Sequence, residues 1–407
     1  MVKQPRAVAL LLSLLLLLLP ACAPRTGAPS EGGQSSTTTS APPVRIGASI
    51  SLTGRYDRTG KELQNGYEVW RDGVNTRGGI LGRQVELVIY DDQSDPETAA
   101  RLYEKLISED NVDLIIGPYS SPVTLPASTV TEKHGYPMIV SGASETGIWT
   151  RGYKSVFGIY AGAPGYMDGA IDIAQKNGYR NIAIMNENSA FAKDAVAGAK
   201  KKAAEAGLQV VFEEEYGRDV RDLSPVLIKA RATNPDVLIG GTYGEDATLI
   251  IRQLKDLNWA PKVVALTVGP ALPDFAQTLG ADAEYVFGPT QWEPSIKAPG
   301  VAEFTAAYEQ KHGYKPGYHA AGGFAAGELL KKAIERAQSF ENGKVRDSLA
   351  AIETETIYGA YKVDATGAQT AKASYLVQWL GGERKVVWPD ANAEARYTVP
   401  LPDWSGR

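Results

Sequence analysis

Cysteine is almost missing from this chain: one of its 407 residues is a cysteine, Cys22. No disulfide can form within it, so its core must stand on apolar burial alone. Histidine is nearly as scarce, and His134, His312 and His319 lie far apart without motif neighbours. That indicates neither a metal site nor a Ser–His catalytic pair. Gly54 to Lys61 (GRYDRTGK) misses a phosphate-binding loop by spacing, with five residues between the glycines rather than four, and Glu62 stands where a hydroxyl is needed. Gly142-Ala143-Ser144-Glu145-Thr146 lacks the last glycine of a nucleophile elbow. Asp91, Asp92 and Asp95 have no glycine and distal glutamate to complete a calcium loop, and read as loop and helix-capping residues. No catalytic constellation remains, so neither enzymatic activity nor a cofactor is expected. An excess of positive charge is also absent: 42 basic residues face 47 acidic ones, which argues against a nucleic-acid partner. After residue 22 no apolar run reaches the roughly 20 residues that span a bilayer.

What is present begins with a leader. Lys3 and Arg6 precede Ala7 to Leu19, a nearly unbroken apolar run of 13 residues followed by small ones, the layout of a secretory signal. Leu19-Pro20-Ala21-Cys22 is similar to a bacterial lipobox, although Pro20 is an unusual neighbour there. Residues 1–22 are therefore expected to be a signal peptide with lipobox. Cys22 would then carry a lipid that anchors the chain on the extracytoplasmic face, in a periplasm or at a cell surface. Loss of Lys3 and Arg6 would move the net charge from −5 to −7. Residues 23–43 are rich in Ser, Thr, Gly and Pro with almost no large apolar side chain, and read as a flexible tether.

From Val44 onward short β-rich runs alternate with amphipathic helical stretches. Strands are expected at Val44–Ser51, Val85–Tyr90, Val112–Gly117, Pro137–Val140, Asn181–Met185, Val237–Gly241, Val263–Leu266 and Tyr285–Phe287. Their continuous apolar character (VELVIY, DLIIG, VLIGG) suits strands buried on both faces of a parallel sheet. Helices are expected between them. In Glu62 to Asn75, for example, Leu63, Tyr67, Trp70 and Val74 share one face. The C-terminal part has longer helices (Val301–Lys311, His319–Ala337) and then strands (Tyr358–Val363, Ser374–Leu380, Arg384–Trp388). The fold class is α/β, and roughly 360 residues exceed one comfortable core, so two doubly wound lobes are expected.

The segment VRIGASISLTGRYDRTGKELQNGYEVWRDGVNTRGGILGRQVELVIYDDQSDPETAARL resembles the opening of the type I periplasmic binding proteins of the leucine/isoleucine/valine class. The pattern recurs in DLIIGPYSSPVTLPAS, YPMIVSGASE, RNIAIMNENSAF and NPDVLIGGTY, so the resemblance covers essentially Val44 to Trp388. It implies two Rossmann-like lobes joined by a three-segment hinge, with a small molecule trapped in the cleft for an ABC permease. Carried onto this chain, lobe one is 44–160 with 290–372 and lobe two is 161–289 with 373–407. The product is a monomeric binding protein, a ligand sensor of the same fold being the rival reading.

The resemblance also nominates ligand residues. Ser121 matches the residue that holds a ligand carboxylate. From its place before Pro122, Ser121 also reads as a helix N-cap, beside free N–H groups that favour an anion. Ala143, Ser144 and Glu145 match a second ligand loop, where the acid is a departure that could repel a carboxylate or receive an ammonium. Phe191 matches an aromatic that closes over the solute, and Thr242 and Tyr243 end another strand. Tyr119, Tyr160 and Trp292 gather near cleft or hinge positions and suit an apolar or aromatic solute. The amino-acid binders of the family place an acid against the ligand ammonium, and the matching residue here is Val268. Burying an unpaired ammonium costs on the order of 3–5 kcal/mol, against about 8 kcal/mol for a micromolar binder. Either Glu145, Glu245 or Asp246 replaces that acid, or the ligand is not an α-amino acid. A small apolar amino acid and an aromatic or aliphatic carboxylic acid lacking an amine both stay open. The anchor is testable at once: Cys22→Ser should release the protein from membranes, and continued sedimentation with them would refute the lipoprotein assignment.

Overall fold

The computed structural model describes residues 41–406. The expected leader, Cys22 and all but the last three residues of the tether lie outside them. Five strands, β1 (Val44–Ile50), β2 (Val85–Asp91), β3 (Leu114–Ile116), β4 (Met138–Val140) and β5 (Val156–Gly158), form one parallel sheet in the order β2-β1-β3-β4-β5. Helices α1 (Asp57–Thr76), α2 (Pro96–Ser108) and α3 (Ser121–Lys133) connect them. Then α4 (Asp168–Lys176), α5 (Ala190–Glu205), α6 (Ser224–Ala232), α7 (Gly244–Asp256) and α8 (Phe275–Leu279) alternate with β6 (Asn181–Glu187), β7 (Gln209–Tyr216), β8 (Val237–Gly241), β9 (Val263–Leu266) and β10 (Phe287–Thr290). The chain returns to the first sheet for α9 (Val301–His312), α10 (Tyr318–Ala337), α11 (Asn342–Ala351) and the hairpin β11 (Thr354–Thr356) and β12 (Gly359–Tyr361). It finishes with β13 (Tyr375–Leu380) and β14 (Glu383–Trp388), which pair antiparallel at the edge of a second sheet ordered β14-β13-β10-β9-β8-β6-β7. Among the described residues no helix is long and apolar enough to cross a membrane.

The central strands β3, β4, β8 and β9 are buried at every position, which is why they read as unbroken apolar runs. The strands absent from the sequence reading are of two kinds. β5 and β11 have only three residues each, too few for a period. β7, QVVFEEEY, is an edge strand whose apolar stretch stops after Val210, Val211 and Phe212 and gives way to three glutamates, too short to stand out. Helix starts follow local chemistry: Asp95 accepts from Thr98 N–H at 2.7 Å ahead of Pro96, and Ser189 accepts from Ala192 N–H. Helix α3 departs from expectation, because Ser121 is its first residue and Ser120 holds the cap position. Helix α10 starts one residue before the expected His319, at Tyr318.

The chain passes between the sheets three times, after β5, after β10 and before β13. These passes are tied side by side. Gln291 accepts from Ala161 N–H at 3.0 Å and donates to its carbonyl at 3.3 Å. Lys372 donates to the Gln291 carbonyl at 2.9 Å and to that of Tyr358 at 3.0 Å.

Helices α1 and α10 cross so closely on the first sheet that a Cβ on Gly66 would stand 2.0 Å from the Ala320 carbonyl oxygen. Gly66→Ala should therefore cost about 1–3 kcal/mol by overpacking. A urea midpoint lowered at unchanged slope would establish this, and an unaltered midpoint would mean that the helices can part there without penalty.

Candidate functional site

In parallel sheets, loops from separate strands converge at the carboxyl edge, and here the carboxyl edges of both sheets meet. From the first come the loops after β3 (Tyr119, Ser120, Ser121) and β4 (Gly142, Ala143, Ser144), with Tyr160 beyond β5. From the second come Phe191 after β6, Tyr243 after β8 and Val268 after β9. Together with Tyr166, Tyr318 and His319 they line a cavity of ≈ 20 Å³, room for about one water and far below the roughly 300–1,000 Å³ of sites for drug-sized ligands.

Rings make most of the wall. Tyr243 packs on Phe191 with centroids 5.4 Å apart and on Tyr56 at 4.8 Å, while Tyr119 stands edge-on to Tyr56 at 5.8 Å. Tyr160 stacks on Tyr358 at 5.4 Å, and His319 lies between Tyr318 and Tyr119 at 3.8 and 5.0 Å. The Val268 wall is strained: φ is +58° and ψ −65°, and its flanking groups close a γ-turn, Gly269 N–H to Thr267 carbonyl at 2.7 Å. A β-branched residue rarely adopts this backbone, at a cost of order 1–3 kcal/mol. Thr242 and Thr267 clamp it through three mutual hydrogen bonds of 2.6 Å.

The polar atoms are few and specific. Ser121 Oγ accepts from the backbone N–H groups of Ser144 at 3.2 Å and Glu145 at 3.4 Å. With both lone pairs engaged, the hydroxyl is left to donate its proton to a further acceptor. Ser120 Oγ, Tyr160 Oη and Tyr243 Oη are buried without a well-formed hydrogen bond, Ser120 beside Tyr243 and Tyr160 beside Tyr358. Among the described residues His319 makes no hydrogen bond, and burial pushes its imidazole down to about 3, so at neutral pH it is uncharged.

Three residues expected at the ligand lie elsewhere. Glu145 turns into its own loop, where Oε1 accepts from Gly147 N–H at 2.8 Å and Oε2 is buried without a partner. Thr242 spends its side chain on the Thr267 clamp. Trp292 is fully buried, donates to the Ile357 carbonyl at 2.9 Å and packs against Phe304. The two other acids nominated against an ammonium also miss the cavity. Asp246 is bound to Arg55 at 2.5 Å, and Glu245 is 66% exposed. No acidic side chain lines the cavity among the described residues.

Ser120, Gly142, Tyr166, Tyr318 and His319 were not anticipated. Tyr166 follows the break Ala163-Pro164-Gly165, a signal that could have exposed it. Tyr318 and His319 arrive on α10, far along the chain from the loops after β3 and β4 that they join, with no local mark. A wider groove of ≈ 700 Å³, open to solvent and lined by Arg58, Asp274, Glu293 and Arg384 among others, contains none of the expected ligand residues.

A neutral buried imidazole has a pH signature. The unfolded chain takes up a proton near pH 6.5, whereas the folded one holds it off until about 3. This group should leave stability unchanged above about pH 6.5, lower it by up to about 1.4 kcal/mol per unit below, and level off near 3. Melting of wild type and His319→Asn from pH 7 to 4 should therefore converge or cross in the variant's favour, and parallel curves would contradict a neutral buried ring.

Residues 43–383 match the model of the periplasmic binding protein family. The Leu/Ile/Val-binding protein homolog 7 of Brucella suis is 26% identical over 377 residues, covering 88% of this chain and 94% of that one. The branched-chain amino acid transporter substrate binding protein LivJ of Streptococcus pneumoniae, in complex with isoleucine, has a TM-score of 0.77 at 22% identity, covering 88% of this chain and 100% of that one. An ABC transporter solute binding protein from R. palustris, in complex with benzoate, has a TM-score of 0.75 at 20% identity, covering 85% and 95%. These two likenesses are of the fold. The family match spans nearly all of the described chain and both of its sheets, and so this chain belongs to the periplasmic binding proteins, a family of extracytoplasmic solute binders and not of enzymes.

Proposed function

We propose that this chain is a lipid-anchored binding protein that delivers a small carboxylic acid without an amine, aromatic or aliphatic, to an ABC permease. The lobes are residues 44–160 with 290–372 and 161–289 with 373–407. They close on the solute about the three tied segments, a hinge motion whose ligand must favour the closed form over the open one. The lipid is carried by Cys22, and the protein works as a monomer.

One observation carries the choice of ligand: no carboxylate lines the cavity, so an ammonium brought into it would be unpaired. A carboxylate finds the opposite. The Ser121 hydroxyl has a proton to donate, and Ser120, Tyr160 and Tyr243 hold further buried hydroxyls that no well-formed hydrogen bond engages. The remaining wall is aromatic, which suits a flat or branched apolar body. An amino-acid ligand would require Glu145 to leave the loop that its Oε1 caps.

Thermal shifts separate these readings, because a ligand of the folded form raises stability by mass action. Benzoate and related acids should raise the melting temperature and leucine should not. Ser121→Ala should weaken the acid by about 1–3 kcal/mol, the loss of a hydrogen bond to a charged group. A shift with leucine alone, or an unaffected Ser121→Ala, would overturn the assignment.

A further inference from the structure

Arg55 leaves the first sheet on the loop between β1 and α1 and reaches the second. Its guanidinium meets Glu187 at the end of β6, Asp246 in the first turn of α7 and the carbonyl of Arg218. Arg218 answers from the second sheet, donating to Tyr56 Oη at 2.6 Å and lying 3.5 Å from Glu187. The cluster is withdrawn from water: the side chains of Glu187 and Asp246 are 0% and 4% exposed, and that of Arg55 16%. Other contacts between the two sides differ in this respect. Arg58 and Asp274 are 39% and 41% exposed, and Thr146 meets Asp194 at an exposed site.

Rings separate this cluster from the cavity, so it does not touch a solute there. Tyr243 lines the cavity while its backbone N–H donates to Asp246 at 3.3 Å, and Tyr56 covers Tyr243 from the other side. Burial and the neighbouring Asp246 push the Glu187 carboxyl up, the mark of two acids crowded together. The cation that faces them from the other lobe relieves this only while the cleft is shut.

We propose that Arg55 is the bolt of the cleft: a buried cation that one lobe inserts between two acids of the other, so that charge pairing as well as solute holds the closed form. The inference rests on the reading that the cleft opens and closes on a solute. Without Arg55 the closed form would hold two buried carboxylates with their main partner gone, whereas opening lets water reach them. Apparent affinity falls with the population of the closed form, so Arg55 acts as a positioning residue for binding.

Hydrogen exchange on the full chain, alone and with benzoate or leucine, tests it together with solute affinity. Arg55→Ala should speed exchange about tenfold or more in the loops that meet across the cleft, residues 119–121, 142–145, 188–191 and 242–246, and leave β1 and β8 unchanged. Affinity for whichever probe binds should fall at least about tenfold. Adding Glu187→Gln and Asp246→Asn to Arg55→Ala should recover most of that loss, since no buried charge is then stranded. Arg58→Ala, at the exposed pair, should change either readout by no more than about twofold. Equal exchange in wild type and Arg55→Ala would overturn the proposal, as would acceleration spread evenly into β1 and β8. Should neither probe bind, the ligand assignment fails, while exchange in the solute-free chain still decides the bolt.

Discussion

A parallel sheet satisfies its backbone internally and covers both faces with its own crossovers, which leaves the carboxyl edge as the place where distant loops can meet. The rest of this molecule depends on that constraint. Each of its two sheets has such an edge, and the chain's three passes between them hold the edges face to face. Loops after β3 and β4 therefore confront loops after β6, β8 and β9. Their rings interleave into one apolar contact that runs from Tyr119 and Tyr56 through Tyr243 to Phe191.

Charge is sorted around that contact rather than within it. Acids near the cleft are each engaged away from the cavity: Asp246 and Glu187 by Arg55, Glu145 by its own turn, Asp194 by Thr146. What remains at the wall is a set of hydroxyls and one neutral imidazole. Hydroxyls donate as well as accept, so an anion placed there would meet donors without meeting a fixed charge. The strained γ-turn at Val268, clamped by two threonines, puts an apolar surface at the end of β9. Backbone strain held in this way is typical of positions that shape a ligand site.

The tied passes have a polarity of their own. Lys372 lies half-buried against two carbonyls and over the Tyr358 ring, 3.8 Å from its centroid, and desolvation of its ammonium pushes it down to about 7. Tyr358 in turn stacks on Tyr160 of the cavity wall. Hinge and site thus share a continuous ring column, so a rotation at the passes moves the wall.

The order of strands and helices was legible in the amino-acid text because burial on both faces writes unbroken apolar runs, and burial on one helix face writes a 3.6-residue period. DLIIG and VLIGG bear this out, whereas VELVIY, expected to be buried on both faces, is the edge strand β2, in which only Val85 is fully buried. Much of the site was nominated by the resemblance, which matched Ser121, Ala143, Ser144 and Phe191 to ligand positions, while Tyr243 was placed by the strand end that it follows. Which way a side chain turns within such a loop was not legible. Glu145 and Thr242 sit on the right loops and point away, held by hydrogen bonds to groups near them in space. Tyr318 and His319 come from a helix whose place beside the cavity follows from its packing on α1. The partner of Asp246 likewise required the fold, since Arg55 stands 191 residues away and only the meeting of the two edges joins them. Local burial patterns determine elements, because they act over neighbouring residues. Opposing surfaces determine the site, because its contacts exist only once the sheets face each other.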